Sequence, residues 1–148
     1  MKRIINEMKL RLPAKSINES VCRAIISAFS AELNPTVEEL GDLRCAVSEA
    51  VTNCIVHAYR YQSDNEGYIY ISARLYDTRE ITVEISDNGC GIADIEAARA
   101  PMYTTGGDGR CGMGFLVMES FTDKISVSSR VGGGTKITMY KVFRERST

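Results

Sequence analysis

This sequence predicts a two-layer α/β (α+β) fold: a mixed, mostly antiparallel sheet with helices on one face. Three observations predict it. Two runs near the middle, 68–76 and 81–86, alternate polar and apolar residues and are rich in Ile, Tyr and Val, as half-buried strands are. Two earlier runs, 17–33 and 35–59, repeat apolar residues at helical spacing. A last pair of runs, 124–129 and 135–142, flanks the turn Val131-Gly132-Gly133-Gly134. The order β-α-α-β-β-α-α-β-β suits helices packed on one side of a sheet.

The elements follow from local chemistry. Residues 4–12 alternate loosely and end at Pro13, which reads as a strand. Ser16 followed by Glu19 predicts a capping box at the start of the first helix. Val21, Ala24, Ile25, Ala28 and Phe29 form that helix's apolar stripe. Asn34 then Pro35 predicts an N-cap with proline in the first helical position. From there Val37, Leu40, Leu43, Ala46, Val47, Ala50, Val51, Cys54, Ile55 and Ala58 keep helical spacing to about Tyr59. Residues 62–67 are polar and read as a loop. The strands 68–76 and 81–86 are joined through Asp77-Thr78-Arg79-Glu80 as a hairpin. A short helix is expected over 94–99, a mobile loop over 100–112, and a helix over 115–121.

The 148 residues fit one domain spanning 1–148, long enough to bury a core without a disulfide or metal staple. Apolar residues make up 44% and charged residues 25%, with a net charge of −1, so no basic stripe for nucleic acid is indicated. No run approaches the roughly 20 apolar residues that cross a bilayer, and the first residues carry no signal-peptide core. The five cysteines, Cys22, Cys45, Cys54, Cys90 and Cys111, show no C-x-x-C spacing and read as reduced thiols. A cytoplasmic protein that binds neither membrane nor nucleic acid is expected.

Four constellations carry chemistry. Glu49 and Asn53 lie four apart, on one face of the second helix, among apolar neighbours. Buried polar groups need partners. A phosphate-bound Mg²⁺ suits the Asn53 oxygen, and a reacting hydroxyl proton suits the Glu49 carboxylate. Alone, such a pair reads as a solvated face that supports the helix. Asp87-Asn88-Gly89-Cys90-Gly91 follows a strand, and its glycines permit close approach to a ligand while Asp87 can accept from a purine amino group. Alone it is also a strand-ending turn. Gly112-Met113-Gly114 opens a helix, where N–H groups bind phosphate. Thr104, Thr105 and Arg110 precede it, and arginine is the usual fork for a terminal phosphate. Gly132-Gly133-Gly134-Thr135 is a hairpin turn in which Thr135 can bond an adenine-side water or the Asp87 carboxylate.

In this order, the four resemble the boxes of the ATPase/kinase superfamily that includes gyrase B, Hsp90-type chaperones, MutL-type proteins and sensor histidine kinases. Ser48-Glu49-Ala50-Val51-Thr52-Asn53 looks like its N-box. Asp87 to Gly91, Arg110-Cys111-Gly112-Met113-Gly114-Phe115 and Gly132 to Thr135 look like its glycine boxes. Asn18-Glu19-Ser20, Gly112-Met113-Gly114-Phe115 and Met118-Glu119-x-Phe121 bring the resemblance closest to the bacterial anti-sigma-factor serine kinases, those of endospore formers in particular.

The resemblance covers nearly the whole chain and implies a Bergerat-type ATP-binding fold. It implies a homodimer that holds a sporulation sigma factor of the sigma F type inactive and phosphorylates a serine of an anti-anti-sigma factor. Carried over, Glu49 is the general base and Asn53 the Mg²⁺ ligand. Asp87 reads adenine with Gly89 and Gly91 beside it. Thr104, Thr105 and Arg110 belong to the ATP lid, and Gly112, Met113 and Gly114 cradle phosphate. Arg23 stands where the family has a partner-contacting arginine. His57-Ala58 departs from the His-Gly of many relatives, and Gly106-Gly107-Asp108-Gly109 is richer in glycine than the usual lid.

Rival readings are an ATP-gated sigma-factor binder without significant kinase activity and a free-standing ATPase. The retained Glu49 speaks against the first, since binding alone needs no base. A sensor kinase would need a phosphoacceptor histidine on a separate helix pair. His57, the single histidine, follows Asn53 by one turn and reads as structural.

Overall fold

The computed structural model describes residues 2–58, 67–92, 95 and 114–144. The element order is β1 (Ile4–Pro13), α1 (Ile17–Ser30), a 3₁₀ turn (Ala31–Leu33), α2 (Val37–Thr52), a π-helical segment (Asn53–Ala58), β2 (Tyr68–Tyr76), β3 (Glu80–Asp87), α3 (Gly114–Phe121), β4 (Lys124–Arg130) and β5 (Gly134–Val142). The expected helix over 94–99 and loop over 100–112 lie outside the described residues.

The five strands form one sheet in the order β1-β2-β3-β5-β4. Every pairing among the described residues is antiparallel, in keeping with the mostly antiparallel sheet expected. Alternation sorts the faces. Ile69, Ile71, Ala73 and Leu75 of β2, Ile81, Val83 and Ile85 of β3, and Ile137 and Met139 of β5 are buried, while their neighbours are not. That buried face meets Cys22 and Ile26 of α1, Leu43, Ala46, Val47, Ala50 and Val51 of α2, and Phe115 and Met118 of α3. α2 lies between α1 and α3 and is the spine of the helical layer. Each fully buried Ile, Leu or Val stabilises by about 1.5–3 kcal/mol, which fixes where α2 sits on the sheet.

Two helix starts differ from expectation. Ser16 has helical dihedrals and makes no side-chain cap. Its supposed partner Glu19 is engaged elsewhere, accepting from Arg23 at 3.1 Å and from the Thr52 hydroxyl at 3.3 Å. Asn34 is left-handed, with φ 52°, and closes the 3₁₀ turn instead of opening α2. Thr36 is the true N-cap, paired with Glu39 in a reciprocal capping box. A proline at 35 followed by Thr-x-x-Glu therefore places the helix start two residues later.

The far end of the fold is tied by side chains. Arg79, with φ 63°, donates to the carbonyls of Leu33 (2.7 Å), Asn34 (3.1 Å) and Phe143 (2.6 Å). Arg144 N–H donates to Glu39 Oε2 at 2.8 Å. Lys141 points to the buried face and reaches the Phe121 carbonyl at 3.1 Å, an amphipathic side chain satisfying a helix C-terminus.

Candidate functional site

The second helix changes character at the expected polar pair. Its last α-helical turn carries Glu49, and the Asn53 N–H donates to the carbonyls of both Ala50 and Glu49. From Asn53 to Ala58 the helix widens to π geometry. Such wide turns are rare and often mark functional sites.

Gly114, the first residue of α3, lies against this turn. A Cβ built there would be 3.3 Å from Glu49 Oε2 and 3.6 Å from Asn53 Oδ1. Glycine keeps that space open, and α3 begins with its N-terminal end at a carboxylate and a carboxamide. This donor set is all oxygen on the acceptor side, which fits a hard cation or a transferable proton.

One residue beyond Asn53, the Cys54 thiol donates to Asp87 Oδ2 at 3.5 Å. Asp87 ends β3 and is buried, 7% exposed. Its other oxygen, Oδ1, accepts the N–H groups of Gly89 at 2.9 Å and Thr135 at 3.2 Å. Burial pushes this carboxyl above its ordinary range, and the bonds from Gly89, Cys54 and Thr135 pull it partly back. Burial likewise pushes the Cys54 thiol well up, with the Asp87 charge adding to it, so the thiol is a donor at neutral pH. A buried carboxylate whose strong donors all sit on one oxygen, with a weak thiol on the other, fits a ligand that brings an N–H group.

The segment after Asp87 is laced to its neighbours. Cys90 N–H donates to the Ala58 carbonyl at 2.7 Å, and a side chain at Gly89 would overlap that carbonyl. Gly91, with φ 77°, packs on the Arg130 carbonyl, and Gly132 N–H donates to the Cys90 carbonyl at 2.8 Å. Gly134, with φ 86°, packs on the Asp87 carbonyl. Ile92 N–H donates to Ser129 Oγ at 2.7 Å, and that hydroxyl also meets Thr135 Oγ1 at 2.9 Å. Thr135 thus reaches Asp87 through its main chain, while its hydroxyl is spent on Ser129.

Of the expected site residues, Glu49, Asn53 and Gly114 come together at one place. Asp87, Gly89, Gly91 and Thr135 come together at another, and the π segment joins the two. Thr104, Thr105, Arg110, Gly112 and Met113 lie outside the described residues, as does the side chain of His57. Arg23 is apart from both groups, on α1, bonded to Glu19 at 3.1 Å and to Ser48 Oγ at 3.4 Å. Sequence reasoning missed Cys54 and Ser129. Cys54 was counted only as an apolar helix position. Ser129 follows Ile125 and Val127 on the inward side of β4, and a polar residue in that alternation was the available signal. Cys22, Cys45, Cys54 and Cys90 are free thiols, in line with the cysteine spacing. No described helix is long and apolar enough to cross a membrane.

Comparison with known proteins agrees with this geometry. Residues 12–141 match the family of histidine kinase-like ATPase domains. An anti-sigma F factor of Clostridium acetobutylicum is 49% identical over 139 residues, covering 93% of this chain and 94% of its own. One from Caldanaerobacter subterraneus subsp. tengcongensis is 47% identical over 137 residues, covering 92% and 93%. Among solved structures, one of RsbU and RsbW domains from Mycobacterium tuberculosis superposes with a TM-score of 0.69 at 20% identity, covering 95% of this chain; this chain spans 34% of that longer one. The catalytic domain of histidine kinase ThkA gives 0.53 at 13% identity, covering 94% and 98%. Those two likenesses carry the fold alone. The identity to the curated relatives over nearly their full length carries more: this chain belongs to the histidine kinase-like ATPase family and, within it, to the anti-sigma F factors.

Proposed function

We propose that the chain is an ATP-dependent protein serine kinase and anti-sigma factor, which sequesters a sporulation sigma factor of the sigma F type and phosphorylates a serine of an anti-anti-sigma factor. The observation that carries this reading is the approach of Gly114 to Glu49 and Asn53. It brings a carboxylate, an amide oxygen and a helix start together at one point. The names of the relatives support the sigma-factor partner.

The residues divide the work. Asp87 accepts the adenine amino group, with the Gly89 and Gly91 backbone shaping the wall and Thr135 N–H holding the carboxylate. Main-chain N–H groups at Gly112, Met113 and Gly114 take phosphate oxygens. Thr104, Thr105 and Arg110 belong to the lid, Arg110 beside the terminal phosphate. Asn53 offers its oxygen to Mg²⁺, which supplies charge neutralisation when bound with ATP. Phosphoryl transfer depends mostly on positioning and electrostatics. The serine oxygen forms a bond to the γ-phosphorus, the bond from that phosphorus to the β,γ-bridging oxygen breaks, and ADP leaves. Glu49 takes the serine proton. Arg23 contacts the protein partner. A cytoplasmic homodimer is part of the reading, supported by the outer edge of β1, which pairs with no strand among the described residues and carries exposed Ile4 and Ile5.

Incubation with labelled ATP, Mg²⁺ and an anti-anti-sigma factor tests the reading. Serine labelling is expected from the wild type, and Glu49→Gln should keep ATP binding while losing label. Sigma-factor binding without label would replace the kinase by a sequestrant, and free phosphate without a partner would replace it by an ATPase.

A further inference from the structure

The Cys54–Asp87 bond has no part in the roles above. Cys54 is 2% exposed and lies on the π segment directly after Asn53, so its backbone is placed by α2, not by the glycine turns. Its sulfur is 3.5 Å from Asp87 Oδ2. The two main-chain donors, from Gly89 and Thr135, both go to Oδ1. Oδ1 is therefore pinned from β5 and the first glycine turn, and Oδ2 is pinned from the helical layer. With both oxygens held, the plane of the carboxylate is fixed. A carboxylate oxygen has two lone pairs, so Oδ2 keeps one for a second donor. The thiol is a weak donor and leaves that lone pair little depleted, so a ligand N–H gains nearly a full charge-assisted bond.

We propose that Cys54 is a positioning residue for purine selection: by fixing Asp87 Oδ2 it favours a base bearing an amino group at the recognised edge over one bearing a carbonyl. This rests on the nucleotide reading given above. A purely structural role would predict something else. Removing a packing atom would weaken all nucleotides together, whereas releasing Oδ2 weakens only the base that donates to it.

The test is calorimetric binding of ATP and of inosine triphosphate, each with Mg²⁺, to the full chain. Wild type is compared with Cys54→Ala, Cys54→Ser and Cys54→Val. Cys54→Ser retains a donor, and Cys54→Val fills the space without one. Loss of one such bond should weaken ATP by about three- to tenfold in the Ala and Val variants, with inosine triphosphate moving less than about twofold and Ser restoring ATP. Because the ratio of the two nucleotides is read on the same folded preparation, partial unfolding cannot imitate the result. Equal losses for both nucleotides, unchanged ATP affinity in Ala and Val, or failure of Ser to restore it would overturn the role of Cys54. A wild type indifferent to ATP would instead remove the nucleotide site itself, and this inference with it.

Discussion

Thr135 donates its main-chain N–H to Asp87 Oδ1 at 3.2 Å, the same oxygen that receives the Gly89 N–H at 2.9 Å. One oxygen thus joins the turn after β3 to the first residues of β5. Asp87→Asn keeps a carbonyl oxygen for these two donors but places an NH₂ group where Oδ2 faces Cys54. ATP affinity is expected to fall by about 10- to 100-fold, the worth of a hydrogen bond to a charged group, while the protein remains folded. Titration calorimetry beside a thermal melt checks it, and affinity within about threefold of wild type would remove Asp87 from base recognition.

Gly132 and Gly134 both have positive φ, 77° and 86°, but different surroundings. A Cβ at Gly132 would meet nothing within 4 Å, whereas one at Gly134 would overlap the Asp87 carbonyl. Gly132→Ala should therefore cost about 1–2 kcal/mol from backbone strain alone. Gly134→Ala should cost about 3 kcal/mol or more, because strain and overlap combine. Guanidinium titrations of the two variants should rank them in that order, and equal losses would contradict the packing of Gly134 on Asp87.

Gly41 stands inside α2 with nothing within 4 Å of a built Cβ. Gly41→Ala should raise stability by about 0.5–1 kcal/mol by reducing the freedom of the unfolded chain. A lower denaturation midpoint would show that this part of α2 is not a regular helix in solution.

Asp123 gives the fold an acid limit. Burial pushes its carboxyl up, but the Val142 N–H at 2.8 Å and the Arg144 guanidinium at 2.8 Å outweigh it and hold the group below its ordinary value. Between the two values the unfolded chain binds more protons than the native one, so stability falls as pH falls. The contribution is whole above the ordinary carboxyl range, near pH 4, and is lost as pH drops through the lowered value. Asp123→Asn should flatten this limb in urea midpoints taken from about pH 6 to pH 2, and an unchanged slope would remove Asp123 as its source.

Legibility in the sequence followed the range of the interactions. Strand alternation and the stripe of α2 were plain because each rests on spacing within one element, whereas the expected stripe of α1 is displaced: Cys22, Ile26 and Ser30 are buried while Ala24 and Ala28 are exposed. Glu49, Asn53, Asp87 and the glycines around it were marked by residue types in local patterns. The Ser16–Glu19 box failed because Glu19 is claimed by Arg23 one turn on in α1 and, across the helix layer, by Thr52. No proline or glycine announces the π turn at Asn53, whose neighbours Ala50, Val51 and Cys54 are simply core residues. The Cys54–Asp87 bond spans 33 positions and joins a helix to a strand end, so nothing short of the fold reveals it.

The order of strands has a consequence for tolerance to change. Two inter-strand steps, about 9–10 Å, separate β1 from β3, whose last residue is Asp87. On the proposed reading, sequence drift along β1, even drift that alters what docks on that margin, leaves the Asp87 carboxylate undisturbed, so the molecule can diversify its assembly while its chemistry stays fixed.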